Sequence, residues 1–339
     1  MARVTMHISA GGLQTTVQDL GRPESQRQGV PAGGAMDRTA LRVGNLLVGN
    51  DEGAAGLEAT LIGPTISFDH PTLVAITGAD LCATVDRQPL APWHAALVQP
   101  GAVLRFGAPV RGCRAYIAVA GGIDVPVVFG SRSTYLRAEF GGHEGRALRA
   151  GDTLGLGVPS ALSYRIAGSL QSDDPGMSAA RWSVAPPIRP KYSDDAIVRL
   201  IPGAHTDALS PQSRDQLFNT RFRVSASSDR MGYRLQGAEL ALQRPIELLS
   251  EAVAFGTVQL PPGGAPIILM ADRQTTGGYP RIGEVATIDL PLVAQLKPGD
   301  HVRFRAISLE DAQRVYLARE QELAQARLAI ALRFPRGMS

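Results

Sequence analysis

Residues 269–280 read Leu269-Met270-Ala271-Asp272-Arg273-Gln274-Thr275-Thr276-Gly277-Gly278-Tyr279-Pro280. A carboxylate, a guanidinium, an amide, two hydroxyls, a Gly-Gly pair and a phenol follow directly on an apolar run, Ile267 to Met270. A core needs no such mixture, whereas a loop that binds a small polar ligand does. Gly277 and Gly278 are expected to supply positive φ and close backbone approach. The alternative is a Gly-Gly hairpin turn whose polar residues face water.

Each group has a chemical use. Arg273 can hold a carboxylate in a two-pronged fork, or pair locally with Asp272. Asp272 can act as a base or orient an attacking group, or it can cap a turn. Thr275, Thr276 and the amides of Gly277 and Gly278 can bind a developing oxyanion, with Gln274 lending its carboxamide. Tyr279 can donate to a carbonyl or simply pack. Gln259, on a neighbouring predicted strand, is a further substrate-binding candidate. Ser131 and Ser133, in Gly130-Ser131-Arg132-Ser133-Thr134, can close a pocket or form a plain turn.

Short apolar runs bounded by Gly, Pro and Asp dominate the chain before residue 308, such as Leu73-Val74-Ala75-Ile76 and Tyr116-Ile117-Ala118-Val119. They predict a mainly β protein, barrel or sandwich. The two halves also echo each other. Gly11 matches Gly203, Asp37-Arg38 matches Asp229-Arg230, and Ala79-Asp80 matches Ala271-Asp272, all at an offset of 192. Glu58-Ala59-x-x-x-Gly63 matches Glu251-Ala252-x-x-x-Gly256 at 193. Pro100-Gly101-x-x-Leu104-Arg105-Phe106 matches Pro298-Gly299-x-x-Val302-Arg303-Phe304 at 198. Five matches in order imply an internal duplication. The jump from 192 to 198 places six extra residues in the interval that holds Arg273 to Pro280. The polar loop is thus an addition to a shared scaffold. By the same pairing, Glu251 is expected to serve the barrel as Glu58 does. Asp229-Arg230 is expected to form the same structural ion pair as Asp37-Arg38.

The expected domains are a first barrel at 1–110, an insertion and linker at 111–194 completing it, a second barrel at 195–307, and a C-terminal helix at 308–339. The Ser/Asp/Pro-rich tract from Ser169 to Pro190 reads as a linker or mobile loop. Ser308-x-x-Asp311 is the expected helix cap, and Val315, Tyr316, Leu323, Ile330 and Phe334 the apolar stripe.

Composition excludes several classes. The chain has 339 residues and a net charge of +3, and only Lys191 and Lys297 are lysine. The arginines are scattered, so no nucleic-acid footprint is expected. Neither lysine sits in a Gly-Lys-Ser/Thr loop or between methionines, so this chain carries neither a Walker A loop nor a biotin. His-Glu-x-x-His, Cys-x-x-Cys and Gly-x-Ser-x-Gly are missing, and Cys82 and Cys113 form no metal framework. No metal site is expected from the six dispersed histidines. No secretory or membrane-spanning segment is seen, so a soluble cytoplasmic protein with reduced thiols is expected.

Several motifs together resemble a known family. They are Val17-Gln18-Asp19-Leu20-Gly21-Arg22, Gly29-Val30-Pro31, Gly34-Ala35-Met36-Asp37, Asn45-x-Leu47-Val48-Gly49-Asn50 and Gly78-Ala79-Asp80. Gly130–Thr134, Ser228–Leu235, Ser250-Glu251-Ala252 and Asp272–Pro280 complete the set, which spans about residues 6–310. The chain resembles the biotin-dependent carboxyltransferase family, also called allophanate hydrolase subunit 2. It departs at Glu24-Ser25, where a Gly-Tyr-type pair is common. The resemblance implies two homologous cyclophilin-like β-barrel domains. It implies one component of an ATP-dependent 5-oxoprolinase, a hydrolase acting on a cyclic amide. The implied partners are a protein like the 5-oxoprolinase B subunit and a LamB/YcsF-type A subunit, with ATP used by the complex and no cofactor bound covalently here. The alternatives are a carboxyltransferase subunit of a urea or amide carboxylase, receiving carboxybiotin from a partner, and a non-enzymatic regulatory binder.

Overall fold

The computed structural model describes residues 4–171 and 174–335. The chain forms two compact units. Within the described residues the first comprises 4–21, 37–190 and 321–335, and the second comprises 22–36 and 191–320. The expected fold class holds: mainly strands, a closed barrel, further sheets and a C-terminal helix.

In the first unit two six-stranded sheets enclose a core. One runs Thr153–Gly155, Thr5–Ala10, Thr65–Phe68, Leu104–Arg105, Thr84–Val85, Gln88–Pro89. The other runs Met177–Ala179, Ala95–Val98, Thr72–Asp80, Arg111–Val119, Gly56–Thr60, Gln14–Gln18. Met6, Ile8 and Ile66 from the first meet Ile76, Leu57 and Ile117 from the second. The strand Thr72–Asp80 is buried through Ala79, as its unbroken apolar run requires. Helix Arg38–Leu47 packs on this sheet, with Asp37 capping Ala40 N–H at 2.9 Å. Gly44 permits the close approach: a Cβ there would lie 2.9 Å from Thr77 Oγ1.

The tract 169–190 is less open than expected. Met177–Ala179 pairs with Ala95–Val98 as an edge strand, because the sheet offers it unpaired backbone groups. Ser172 and Asp173 lie outside the described residues.

A carboxylate anchors the loop before strand Thr153–Gly155. Arg146 grips Asp152 with Nη1–Oδ2 at 2.7 Å and Nη2–Oδ1 at 2.8 Å, and Arg149 N–H adds a third bond. The Arg146 hydrogen bonds, chiefly, hold this carboxyl well below the usual carboxylate range. A lowered folded-state pKa gives stability that is full above the unfolded value of 3.8 and fades as pH falls below it. Asp152→Asn should therefore cost about 1–3 kcal/mol at pH 7. In urea melts the gap from wild type should narrow by pH 3. An equal gap at both pH values would refute the linkage.

In the second unit seven strands close a barrel in the order Asp195–Pro202, Arg281–Val285, Thr257–Gln259, Ile267–Leu269, Gly232–Gln236, Phe222–Val224, His301–Ala306. The last strand returns parallel to the first. Alternation sends Ala196, Val198 and Leu200 inward, with Val302 and Phe304 from the closing strand. A separate ribbon pairs Glu251–Ala252 with Thr276–Gly277.

Segment 22–36, expected in the first domain, packs with the second unit. Gly33 N–H donates to Ala271 O at 3.1 Å, Arg230 Nη2 donates to Gly34 O at 2.7 Å, and Met36 enters the barrel core.

The offset pairs occupy comparable places. Gly11 and Gly203 each follow a strand, and a Cβ on either would strike backbone, at 1.9 Å from Leu148 O and 2.5 Å from Arg281 O. Gly101 and Gly299 both take positive φ, +76° and +96°, in turns leading to strands. Glu58 and Glu251 part company. Glu58 is buried and accepts from the Tyr116 hydroxyl at 2.7 Å, whereas Glu251 is exposed on the ribbon. The expected Asp229–Arg230 ion pair is also replaced: Asp229 accepts from Met231 and Gly232 N–H, and Arg230 turns to Asp272.

Helix Leu309–Arg333 forms as expected, with Ser308 Oγ accepting from Asp311 N–H at 3.0 Å. Its buried positions are Ala312, Leu323 and Ile330, while Tyr316 is exposed. Among the described residues no helix is long and apolar enough to cross a membrane.

Candidate functional site

The polar loop lies in the second unit, where Ile267–Leu269 leaves the barrel wall. Asp272 is buried, and both its oxygens face Arg230, Nε–Oδ2 at 2.8 Å and Nη2–Oδ1 at 3.0 Å. Its backbone N–H donates to Arg230 O at 2.8 Å. This carboxylate is committed to a structural pair 42 residues distant. Arg273 is buried too. Its Nε donates to Val253 O at 3.2 Å and its Nη2 to Gln26 Oε1 at 3.3 Å. Tyr279 is 46% exposed and Gly278 is exposed.

The expected positive φ at Gly277 and Gly278 is not adopted. Gly277 is needed for space instead. It sits in the ribbon, and a Cβ on it would lie 2.4 Å from Gln259 Nε2. Gln259 is 1% exposed, accepts from Gln274 Nε2 at 3.4 Å, and its own Nε2 has no hydrogen-bond partner among the described residues. Thr275 lends its carbonyl to Val253 N–H at 3.2 Å, and Thr276 is paired in the ribbon opposite Ala252.

Beneath the ribbon the barrel wall carries polar groups on its outer face. Strand Thr257–Gln259 pairs with Arg281–Val285 in the register Thr257–Glu284, Val258–Gly283, Gln259–Arg281. Ile282 is an extra residue, a β-bulge. Two residues, Ile282 and Gly283, thereby turn inward opposite Val258; Ile282 joins the core and Gly283 abuts Leu200. Arg281 and Glu284, three apart, then share the outer face with Thr257 and Gln259. Strict alternation would have set them on opposite faces.

The Thr257 hydroxyl lies 2.9 Å from both Glu284 oxygens and donates to that carboxylate. Burial, opposed by this bond and by the charges of Arg281 and Arg273, pushes the Glu284 carboxyl above the usual range. Arg281 Nη2 pairs with Glu251 Oε2 at 2.5 Å, and its N–H meets His205 Nδ1 at 3.1 Å. The wall thus holds an unpartnered amide donor, a second carboxamide and a carboxyl with raised proton affinity. That set can read a planar amide and exchange a proton with it. Sequence reasoning missed Glu284, Thr257 and Arg281. Arg281 and Glu284 closely follow Tyr279-Pro280, and Thr257 lies just before Gln259; that nearness was their one signal.

Ser131 and Ser133 belong to the first unit. Both hydroxyls donate to Asp19 Oδ1 at 2.6 Å, and Arg132 N–H donates to Oδ2 at 2.6 Å. Both serines are buried, so they define a turn around Asp19. Among the described residues no group of three or more His, Cys, Asp or Glu could hold a metal ion.

Known proteins match along nearly the whole chain. It is 38% identical over 315 residues to the C subunit of 5-oxoprolinase from Haemophilus influenzae, covering 93% of this chain and 95% of that one. It is 39% identical over 307 residues to the 5-oxoprolinase C subunit of Escherichia coli K12, covering 91% and 93%. The crystal structure of the K. lactis urea amidolyase superposes with a TM-score of 0.85 at 30% identity, covering 96% of this chain and 20% of that one. The family described as carboxyltransferase domain, subdomain A and B, matches residues 28–306, and the chain belongs to it.

Proposed function

We propose that this chain is the C subunit of an ATP-dependent 5-oxoprolinase, a hydrolase that opens 5-oxo-L-proline to L-glutamate. The observation that carries the reading is Gln259. Its buried Nε2 lacks a partner among the described residues, beside the Gln274 carboxamide and under the ribbon of Thr276 and Gly277. An unpaired buried donor is costly, and a ligand carbonyl or a water completes it. A lactam offers a carbonyl acceptor and an N–H donor side by side, the complement of a carboxamide. The likeness to two 5-oxoprolinase C subunits over more than nine-tenths of the chain supports the same assignment. In this reading Thr275, Thr276, Gly277 and Gly278 frame the substrate, Tyr279 waits at the exposed rim, and Asp272 with Arg273 holds the loop in place.

Nucleotide chemistry belongs to the partners, a protein like the 5-oxoprolinase B subunit and a LamB/YcsF-type A subunit. Lys297 is tied to Asp300 at 2.7 Å, and neither lysine lies in a phosphate-binding loop. A second reading, a carboxyltransferase subunit served by a biotin-bearing partner, draws on the likeness to urea amidolyase. A ureide presents the same donor–acceptor edge as a lactam.

The test is reconstitution. Mixed with both partner subunits, 5-oxo-L-proline and ATP, the chain should support glutamate formation, and omitting any one subunit should abolish it. Carboxylation of urea with a biotinylated partner, without glutamate formation, would favour the second reading. Full turnover by the lone chain would refute dependence on partners.

A further inference from the structure

We infer that Glu284 is the proton-transfer group of this site and that Thr257 positions it; this rests on the lactam-opening reading above. The bulge at Ile282 turns Glu284 onto the same outer wall as Gln259, two strand positions along from it on the register. The carboxyl is half-buried, and its hydrogen bonds among the described residues come from Thr257 alone. Other acids in the neighbourhood are otherwise engaged. Asp272 is gripped by Arg230, and Glu251 is held by Arg281. Glu284 is therefore the carboxyl on this wall left to exchange a proton.

The chemistry needs one. When the lactam C–N bond breaks, the nitrogen must gain a proton. Glu284 in its carboxyl form gives it. The carboxylate left behind recovers a proton from the water whose oxygen has joined the carbonyl carbon. Burial favours the carboxyl form needed at the start. The charged groups facing it are Arg281 from its own strand and Arg273 from the loop, both favouring ionisation. Glu251 offsets Arg281 from the ribbon, and His205 meets the Arg281 backbone. The Thr257 hydroxyl also favours the ionised form, so it sets how tightly the proton is held.

The test uses the reconstituted complex, with kcat and KM for 5-oxo-L-proline measured across pH. Glu284→Gln should lower kcat by about 10²- to 10⁴-fold while KM stays within a few-fold. It should also erase the fall in kcat that wild type shows as pH rises. Glu284→Asp should restore part of the activity, and the melting temperatures of both variants show whether they fold. Thr257→Val should move the alkaline limb to higher pH, a shift that a merely structural threonine would not produce. Wild-type turnover with an equally active Glu284→Gln overturns the role of Glu284 and leaves the lactam reading intact. No wild-type turnover of 5-oxo-L-proline overturns both. Loss of activity in Glu284→Gln through KM alone reassigns the residue to binding and also overturns the inference.

Discussion

Asp272→Ala should destabilise the second unit by about 3–5 kcal/mol, because it takes a two-pronged carboxylate away from the buried Arg230 guanidinium. Arg230 is 6% and Asp272 4% exposed, and their contact is two-pronged at 2.8 and 3.0 Å. Arg230 would keep its bond to Gly34 O and lose both contacts to the Asp272 carboxylate. Urea denaturation of the two single variants and of Arg230→Met with Asp272→Leu gives the measurement. The double variant should recover much of the loss, since replacing both charges by apolar groups of similar size removes the desolvation cost. A loss below about 1 kcal/mol for Asp272→Ala would mean that the pair is not structural. Asp272 would then be free to act as a base.

Gln259→Leu should behave in the opposite way. Leucine keeps most of the volume and removes an amide donor that has no hydrogen-bond partner among the described residues, so stability should change by less than about 1 kcal/mol. The 3.4 Å contact from Gln274 is the one bond forfeited. Turnover of 5-oxo-L-proline by the reconstituted complex should fall by about 100-fold, equivalent to roughly 2.7 kcal/mol of transition-state stabilisation. A residue that weakens the folded state slightly and serves the ligand is expected at a site. Undiminished turnover, or a fall of many degrees in melting temperature, would return Gln259 to the scaffold.

The sequence placed the candidate site by local signals and was silent on the groups around it. A dense polar run after a buried strand pointed to residues 272–279, and the six-residue excess over the other half marked it as added. Ser308 and the paired turn glycines were likewise readable, because capping and positive φ are local demands. What escaped notice depends on distance or register. Arg230 and Asp272 meet across 42 residues, and no local rule selects Arg230 over Arg273 as the partner. The bulge at Ile282 overrides the period of two, so Arg281 and Glu284 looked like opposite faces. Gly277 suggested a left-handed turn, whereas its role is room for the Gln259 amide. Gln26, far upstream in sequence, proved to hold Arg273.

Residues 22–36 are synthesised among the first of the chain yet complete the unit whose other residues come much later, 191–320. No single cleavage can release either unit whole. A fragment starting at residue 191 would lack Met36 from its barrel core and the backbone carbonyl of Gly34 that Arg230 uses. During translation the early segment must wait for more than 150 residues before its partners emerge, a high-contact-order closure that is slow and exposes Met36 meanwhile. The threading also bears on gene architecture: splitting this chain into two genes at the boundary between its units would separate pieces that assemble only by fragment complementation.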